Sequence, residues 1–240
     1  MSEHMPLTGH LKELRQRLIR SAIAVTAAFA ATYWYSDVLM EILTRPLIEA
    51  LPESSRFMAF TAVSEPFFTY LKVGMYSAVL LASPYVLFQA WGFVAPALYE
   101  EEKKWFFPVV FVSTLLFLSG AVFAYVFVFP TAFKYLLSFS TPELKPFISM
   151  GEYFSTAAMF LVVFGAVFQL PLVMAVTAKL GIVSGKTYIA YWRYAIVVIF
   201  IVAAVLTPPD VVSQLLLGLP MLGLYFIGAL LALMLGKKQG

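Results

Sequence analysis

Residues 83–104 read SPYVLFQAWGFVAPALYEEEKK, and this stretch decides how the rest of the chain is read. It opens inside one strongly apolar run and closes on Glu100, Glu101, Glu102, Lys103 and Lys104, just before a second apolar run begins at Trp105. Two hydrophobic runs of helical length joined by a charged turn are the pattern of a membrane hairpin. Lipid offers no partner to backbone N–H and C=O groups, and a helix satisfies them internally. The chain carries only 13 acidic residues, so three consecutive glutamates at a membrane surface invite a cationic partner.

Composition agrees with the hairpin. Of 240 residues 62% are hydrophobic and 12% charged, and the mean hydropathy is +0.88, values of a membrane protein rather than a soluble one. The polar stretches between apolar runs are too short to fold separately, so a single membrane domain over 1–240 is expected. With no cysteine, disulfides and thiolate metal sites are excluded. The net charge of +3 is small, and its segregation concerns orientation rather than nucleic acid.

Working outward, residues 1–18 form a polar lead with Leu11, Leu14 and Leu18 at helical spacing, expected as an amphipathic helix on the cytoplasmic face. Residues 19–35 form the first span, closed by the interfacial aromatics Tyr33, Trp34 and Tyr35. Ala28-Phe29-Ala30 imitates a signal-peptidase site, but the apolar run continues past it into the aromatic belt. Further spans are expected at 66–91, 105–129, 153–178, 188–206 and 211–235, with Pro130 stopping the third and Thr207-Pro208-Pro209-Asp210 dividing the last two. The fold class is therefore an all-α integral membrane protein of six transmembrane helices. The fifth and sixth are expected to be short, because about 18 residues rise only about 27 Å.

Charge sets the orientation. Lys12, Arg15, Arg17, Arg20, Lys103, Lys104, Lys179, Lys186, Arg193, Lys237 and Lys238 fall at the termini and even-numbered loops, against Arg45, Arg56, Lys72, Lys134 and Lys145 on the other side. Under the positive-inside rule both termini are cytoplasmic. Lys72, near the outer end of the second span, is placed to snorkel.

Several signals fail. Gly181-Ile182-Val183-Ser184-Gly185-Lys186-Thr187 has three residues between its glycines where a nucleotide loop needs four, and reads as a glycine helix stop followed by a basic turn. Both histidines, His4 and His10, lie in the polar lead. No imidazole base therefore reaches the membrane interior, and no histidine metal site or covalent chemistry is indicated. A small-solute transporter or channel is the alternative function, but it needs a polar lining at mid-membrane that the chain scarcely supplies.

The surviving signals lie on the cytoplasmic side. Glu100 to Glu102 sit where anionic side chains offset the positive end of the following helix dipole, worth roughly 0.3 to 1 kcal/mol. Two of them can serve that role and leave another for a ligand. With Glu13 nearby, the surface suits a guest bearing two arginines, since a guanidinium grips carboxylates bidentately and keeps its charge. Gln89 and Gln169, the latter beside Pro171, are amides at membrane depth that need a neighbouring helix or another subunit as partner.

The chain resembles the TatC family, the core subunits of the twin-arginine protein translocase. The resemblance rests on His10-Leu11-Lys12-Glu13-Leu14-Arg15-Gln16-Arg17-Leu18, on Ser83-Pro84 through Glu102, and on Thr207-Pro208-Pro209-Asp210 with Ser213-Gln214. It spans essentially the whole chain. It implies recognition of paired-arginine signal peptides on folded cargo, driven by the proton-motive force, in the bacterial cytoplasmic (inner) membrane. By position, Glu102 looks like the principal carboxylate, beside Glu101. Phe93, Pro96, Leu98 and Tyr99 would shape the site, and Glu13, Arg15 and Arg17 would form its lead-helix part. The resemblance further implies TatA- and TatB-type single-span partners, self-association within the complex, and partner docking at Gln169, Asp210 and Gln214. No enzymatic activity and no cofactor are implied. Many relatives carry glutamate where this chain has Gln169, an amide that bonds hydrogen but holds no charge.

Overall fold

The computed structural model describes residues 7–51, 57–94, 103–141, 146–206 and 210–236. The described residues are almost wholly helical. They form α1 (Leu7–Trp34), α2 (Ser36–Ala50), α3 (Glu65–Val94), α4 (Phe106–Phe123), α5 (Phe129–Leu137), α6 (Met150–Val167), α7 (Leu170–Lys179), α8 (Gly185–Ala190), α9 (Trp192–Leu206) and α10 (Val211–Leu235). Among the described residues, four helical stretches are long and apolar enough to cross a membrane: α3, Phe106–Leu137, Met150–Lys179 and α10. The shorter apolar helix α9 has 15 residues.

Local chemistry explains where these helices continue and where they break. No glycine or proline lies between His10 and Arg45, so the polar lead and the first apolar run share the single helix α1 instead of separating into a surface helix and a span. Pro84 lies inside α3, where it cannot donate to the carbonyl four residues back. The Ser83 hydroxyl donates to that same Leu80 carbonyl at 2.7 Å, and the helix runs on.

Pro130 does not end the third apolar run as expected. A π-helical turn over Ala124–Val128 precedes it, and α5 carries the proline in its first turn. The wider turn absorbs the missing amide, so helical structure persists to Leu137. Pro171 acts differently: the helix interrupts at Phe168–Gln169 and restarts as α7 with the proline in its first turn. Gly181, at a φ of 76°, closes α7 in the left-handed conformation that a Cβ disfavours. The last span has the expected bounds, 211–235, but is not the short helix anticipated. Helix α10 has 25 residues with Pro220 inside it, because its apolar run is unbroken and the first turn is capped by Asp210.

The chain divides into two compact units. In the first, α1 packs along α3, and the buried Thr32 hydroxyl donates to the Gly74 carbonyl at 2.8 Å. Tyr153 on α6 donates to the Leu43 carbonyl of α2 at 2.6 Å. The Trp91 indole donates to Ser113 on α4 at 2.9 Å. The polar segments ahead of α3 and α6 pair through an isolated parallel bridge between Ala59 and Ser149, which levels the starts of the two helices.

In the second unit α10 packs on α7, α8 and α9. Tyr225 donates to the Tyr188 carbonyl at 2.7 Å, and the Tyr188 hydroxyl lies 2.8 Å from that of Thr177. Phe123 packs against the Phe164 and Phe168 rings at 5.9 and 5.5 Å.

Candidate functional site

The carbonyl end of α3 meets the N-terminal half of α1 in the first unit. Glu13 and Arg17 lie four residues apart on α1, the spacing that places side chains on one helix face. The Arg17 guanidinium donates twice to Glu13 Oε1, from Nε at 2.9 Å and from Nη2 at 2.6 Å. Its third nitrogen, Nη1, donates to Oε1 of Gln89 on α3 at 3.4 Å. The two charged side chains are only about one fifth exposed, at 21% and 23%. Gln89 is 4% exposed. An amide buried at the membrane end of a helix needs a partner, and here the partner is a cation from the lead.

Gly92 completes this socket. A Cβ built there would overlap Arg17 Nη1 and stand 3.0 Å from Cζ, so any side chain at this position pushes the guanidinium away from α3. One residue further, Phe93 stacks on His10 with ring centroids 4.2 Å apart and an interplanar angle of 23°. Trp91 holds the same turn to α4 through Ser113.

Of the residues singled out in the sequence, the structure gathers Glu13, Arg17 and Phe93 around the last turn of α3. Arg15 is exposed on α1 and makes none of these contacts. Pro96, Leu98, Tyr99, Glu101 and Glu102 lie outside the described residues. Two participants escaped sequence reasoning. His10 carried no role of its own in the lead motif, and Gln89 was legible as an amide needing a helix neighbour, which α1 supplies through Arg17. The spacing of Gln89 and Gly92, three residues apart, is a weak signal for a socket.

The second set lies in the other unit. Asp210 caps α10, accepting from the Ser213 amide at 2.7 Å. Its Oδ2 and the Ser213 hydroxyl are buried without a partner among the described residues. Gln214 donates from Nε2 to the Phe200 carbonyl of α9 at 2.9 Å, which ties the last two helices together. Gln169 is half-buried and begins α7 without a side-chain cap.

Glu65 is a third centre that the sequence did not mark. One carboxylate oxygen accepts from the Ser149 hydroxyl at 2.6 Å and the Gly151 amide at 2.7 Å. The other accepts from the Thr61 hydroxyl at 2.8 Å and from the Thr61 and Ala62 amides. All five donors face its negative charge, so this one side chain fixes the entry of α3 to that of α6.

Comparison with known proteins bears directly on these arrangements. The family described as Sec-independent protein translocase protein (TatC) matches residues 9–220. The chain belongs to the TatC family. It is 44% identical to the Sec-independent protein translocase protein TatC of Desulforapulum autotrophicum, over 99% of this chain and 87% of that protein. It is 36% identical to the TatC of Aquifex aeolicus over 98% of each. A crystal structure of the twin arginine translocase receptor TatC superposes with a TM-score of 0.86 at 35% identity, covering 94% of this chain and 99% of that one. The TatC match takes in α1 with its Glu13–Arg17 pair, all of α3, and the capped start of α10. The chain is thus an all-α, multi-pass membrane protein of the twin-arginine translocase.

Proposed function

We propose that this chain is the subunit that recognises paired-arginine signal peptides on folded proteins and nucleates the export complex, with the proton-motive force driving transport. The observation that carries the reading is the gathering of Glu13, Arg17, Gln89 and Phe93 at the last turn of α3, which leads in sequence straight into residues 95–102. Membership of the TatC family supports the same assignment.

This reading gives the acids different roles. Glu13 already faces Arg17, so its charge is matched within the chain. Recognition of an incoming arginine pair then falls on Glu102 and Glu101, with Pro96, Leu98 and Tyr99 shaping the surface and Arg15, exposed on α1, adding to its lead-helix part. A micromolar complex requires about 8 kcal/mol. A hydrogen bond to a charged group contributes roughly 1.5 to 3 kcal/mol, and less where water screens it. The glutamates therefore read identity, while the apolar part of the signal adds affinity by leaving water for the bilayer.

In this reading six helices cross the bacterial cytoplasmic membrane with both termini inside, which agrees with the distribution of Lys and Arg. Single-span subunits of the TatA and TatB type dock at Gln169, Asp210 and Gln214, and copies of the chain associate within the complex. The chain performs no hydrolysis. An amide at Gln169 carries no proton, so energy coupling resides in the assembled partners. The test is site-specific cross-linking of a twin-arginine peptide to the membrane-inserted chain. Glu102→Gln abolishes the cross-link and Glu100→Gln weakens it less. Undiminished contact in Glu102→Gln refutes the role, and equal losses at both positions replace it with a diffuse acidic patch.

A further inference from the structure

A polar groove of about 610 Å³ opens in the first unit, lined on α3 by Glu65 and Lys72 and on α6 by Glu152, Ser155 and Thr156. Lys72 is the only cation of α3. It donates to the Ser155 hydroxyl at 3.1 Å, and among the described residues it forms no ion pair. Glu65 has its carboxylate filled by five donors. Glu152 is the acid in the groove whose carboxylate is not engaged by those donors, and it is exposed. One cation and one anion thus face the same cavity without pairing with each other.

Apolar side chains flank the groove on its deeper side as well. Met75 follows Lys72 by three residues and is 47% exposed. Met159 follows Ser155 by four and is 37% exposed. Both helices start at the level of the Ala59–Ser149 bridge, so each methionine lies about one turn deeper than the polar residue it follows. A ligand that suits the groove is zwitterionic at its head and apolar below.

We propose that the groove seats an aminophospholipid, with its phosphate on Lys72 and the Ser155 and Thr156 hydroxyls, its primary ammonium on Glu152, and an acyl chain over Met75 and Met159. A phosphate accepts several hydrogen bonds at once, and a primary ammonium donates them to a carboxylate. A choline head lacks the N–H donor, and a glycerol head offers Glu152 only neutral hydroxyls, with no cation to match its charge. The site uses none of the residues assigned to signal recognition, so it stands or falls separately from that reading.

The experiment is native mass spectrometry of the purified full-length chain after exchange into an equal mixture of phosphatidylethanolamine, phosphatidylcholine and phosphatidylglycerol with identical acyl chains. Wild type retains phosphatidylethanolamine in preference to the other two. Lys72→Ala lowers that retention about tenfold, the effect of losing one charge-assisted contact, while Lys72→Arg preserves it. Glu152→Gln removes the preference over phosphatidylcholine but keeps phosphate-dependent retention. Soluble phosphoethanolamine at equal concentration fails to displace the lipid. Thermal midpoints with and without added phosphatidylethanolamine confirm that each variant is folded, and the lipid raises the midpoint of wild type but not that of Lys72→Ala. Equal retention of the three lipids by wild type overturns the proposal, as does unchanged retention in Lys72→Ala. Displacement by the soluble headgroup overturns the acyl contact.

Discussion

Gly92→Ala adds a single methyl group at the point where α3 meets the lead helix. Its carbon would overlap Arg17 Nη1 and stand 3.0 Å from Cζ, while ordinary contact begins at 3.4 Å. The guanidinium must therefore swing away from α3 by about 1 Å. The Arg17–Gln89 hydrogen bond is already 3.4 Å long, so it breaks, and the buried Gln89 oxygen is left without its donor. Leaving such a group unsatisfied costs about 1 to 3 kcal/mol, and alanine returns about 1 kcal/mol of helix propensity. The net loss of stability is then about 0 to 2 kcal/mol. At roughly 2 to 4 °C per kcal/mol for a chain of this size, the thermal midpoint falls by no more than about 8 °C. Peptide capture responds more strongly, because Arg17 and the Glu13 it holds are displaced together. Affinity for a twin-arginine peptide falls about tenfold, equivalent to about 1.4 kcal/mol. The assay pairs thermal unfolding of the purified protein with quantitative peptide cross-linking, and repeats both measurements in an Arg17→Ala background. There Gly92→Ala has no guanidinium to displace, so it lowers peptide capture no further and leaves only the gain of about 1 kcal/mol in helix propensity. Full additivity of the two substitutions would refute the steric argument, and so would undiminished peptide capture in Gly92→Ala.

Two further substitutions probe the anchors of the fold. Glu65→Gln replaces one accepting oxygen with a donor that opposes the Thr61, Ala62, Ser149 or Gly151 groups, so the thermal midpoint falls, and by more than it does for Thr61→Val, which deletes a single donor; a reversed order in thermal unfolding contradicts the network. Asp210→Ala removes the α10 cap and costs about 1 kcal/mol. Asp210→Ser keeps an acceptor for the Ser213 amide and removes the buried, unpartnered Oδ2, so it melts at or above wild type; a melt below that of Asp210→Ala contradicts the capping account.

Hydropathy alone established that the chain is helical and membrane-embedded, because lipid leaves backbone groups no other partner. Local chemistry also marked the glycine stop at Gly181, since it depends on a residue and its immediate neighbours, whereas the break before Pro171 falls inside a span expected to run unbroken over 153–178. The cationic side of the lead and the likeness of its motifs to the TatC family were equally legible in one dimension. The structure, rather than hydropathy, showed what a proline does within a helix, although the means are local: Ser83 bonds the carbonyl that Pro84 cannot, and a π turn carries the chain through Pro130. Tertiary structure decided that Arg17 meets Gln89, 72 residues away, and that Glu65 holds Ser149 and Gly151, 84 and 86 residues away. Hydropathy is a sum over adjacent residues, so the sequence reveals it. A hydrogen bond depends on the position and direction of a partner that only the packed helices bring within reach.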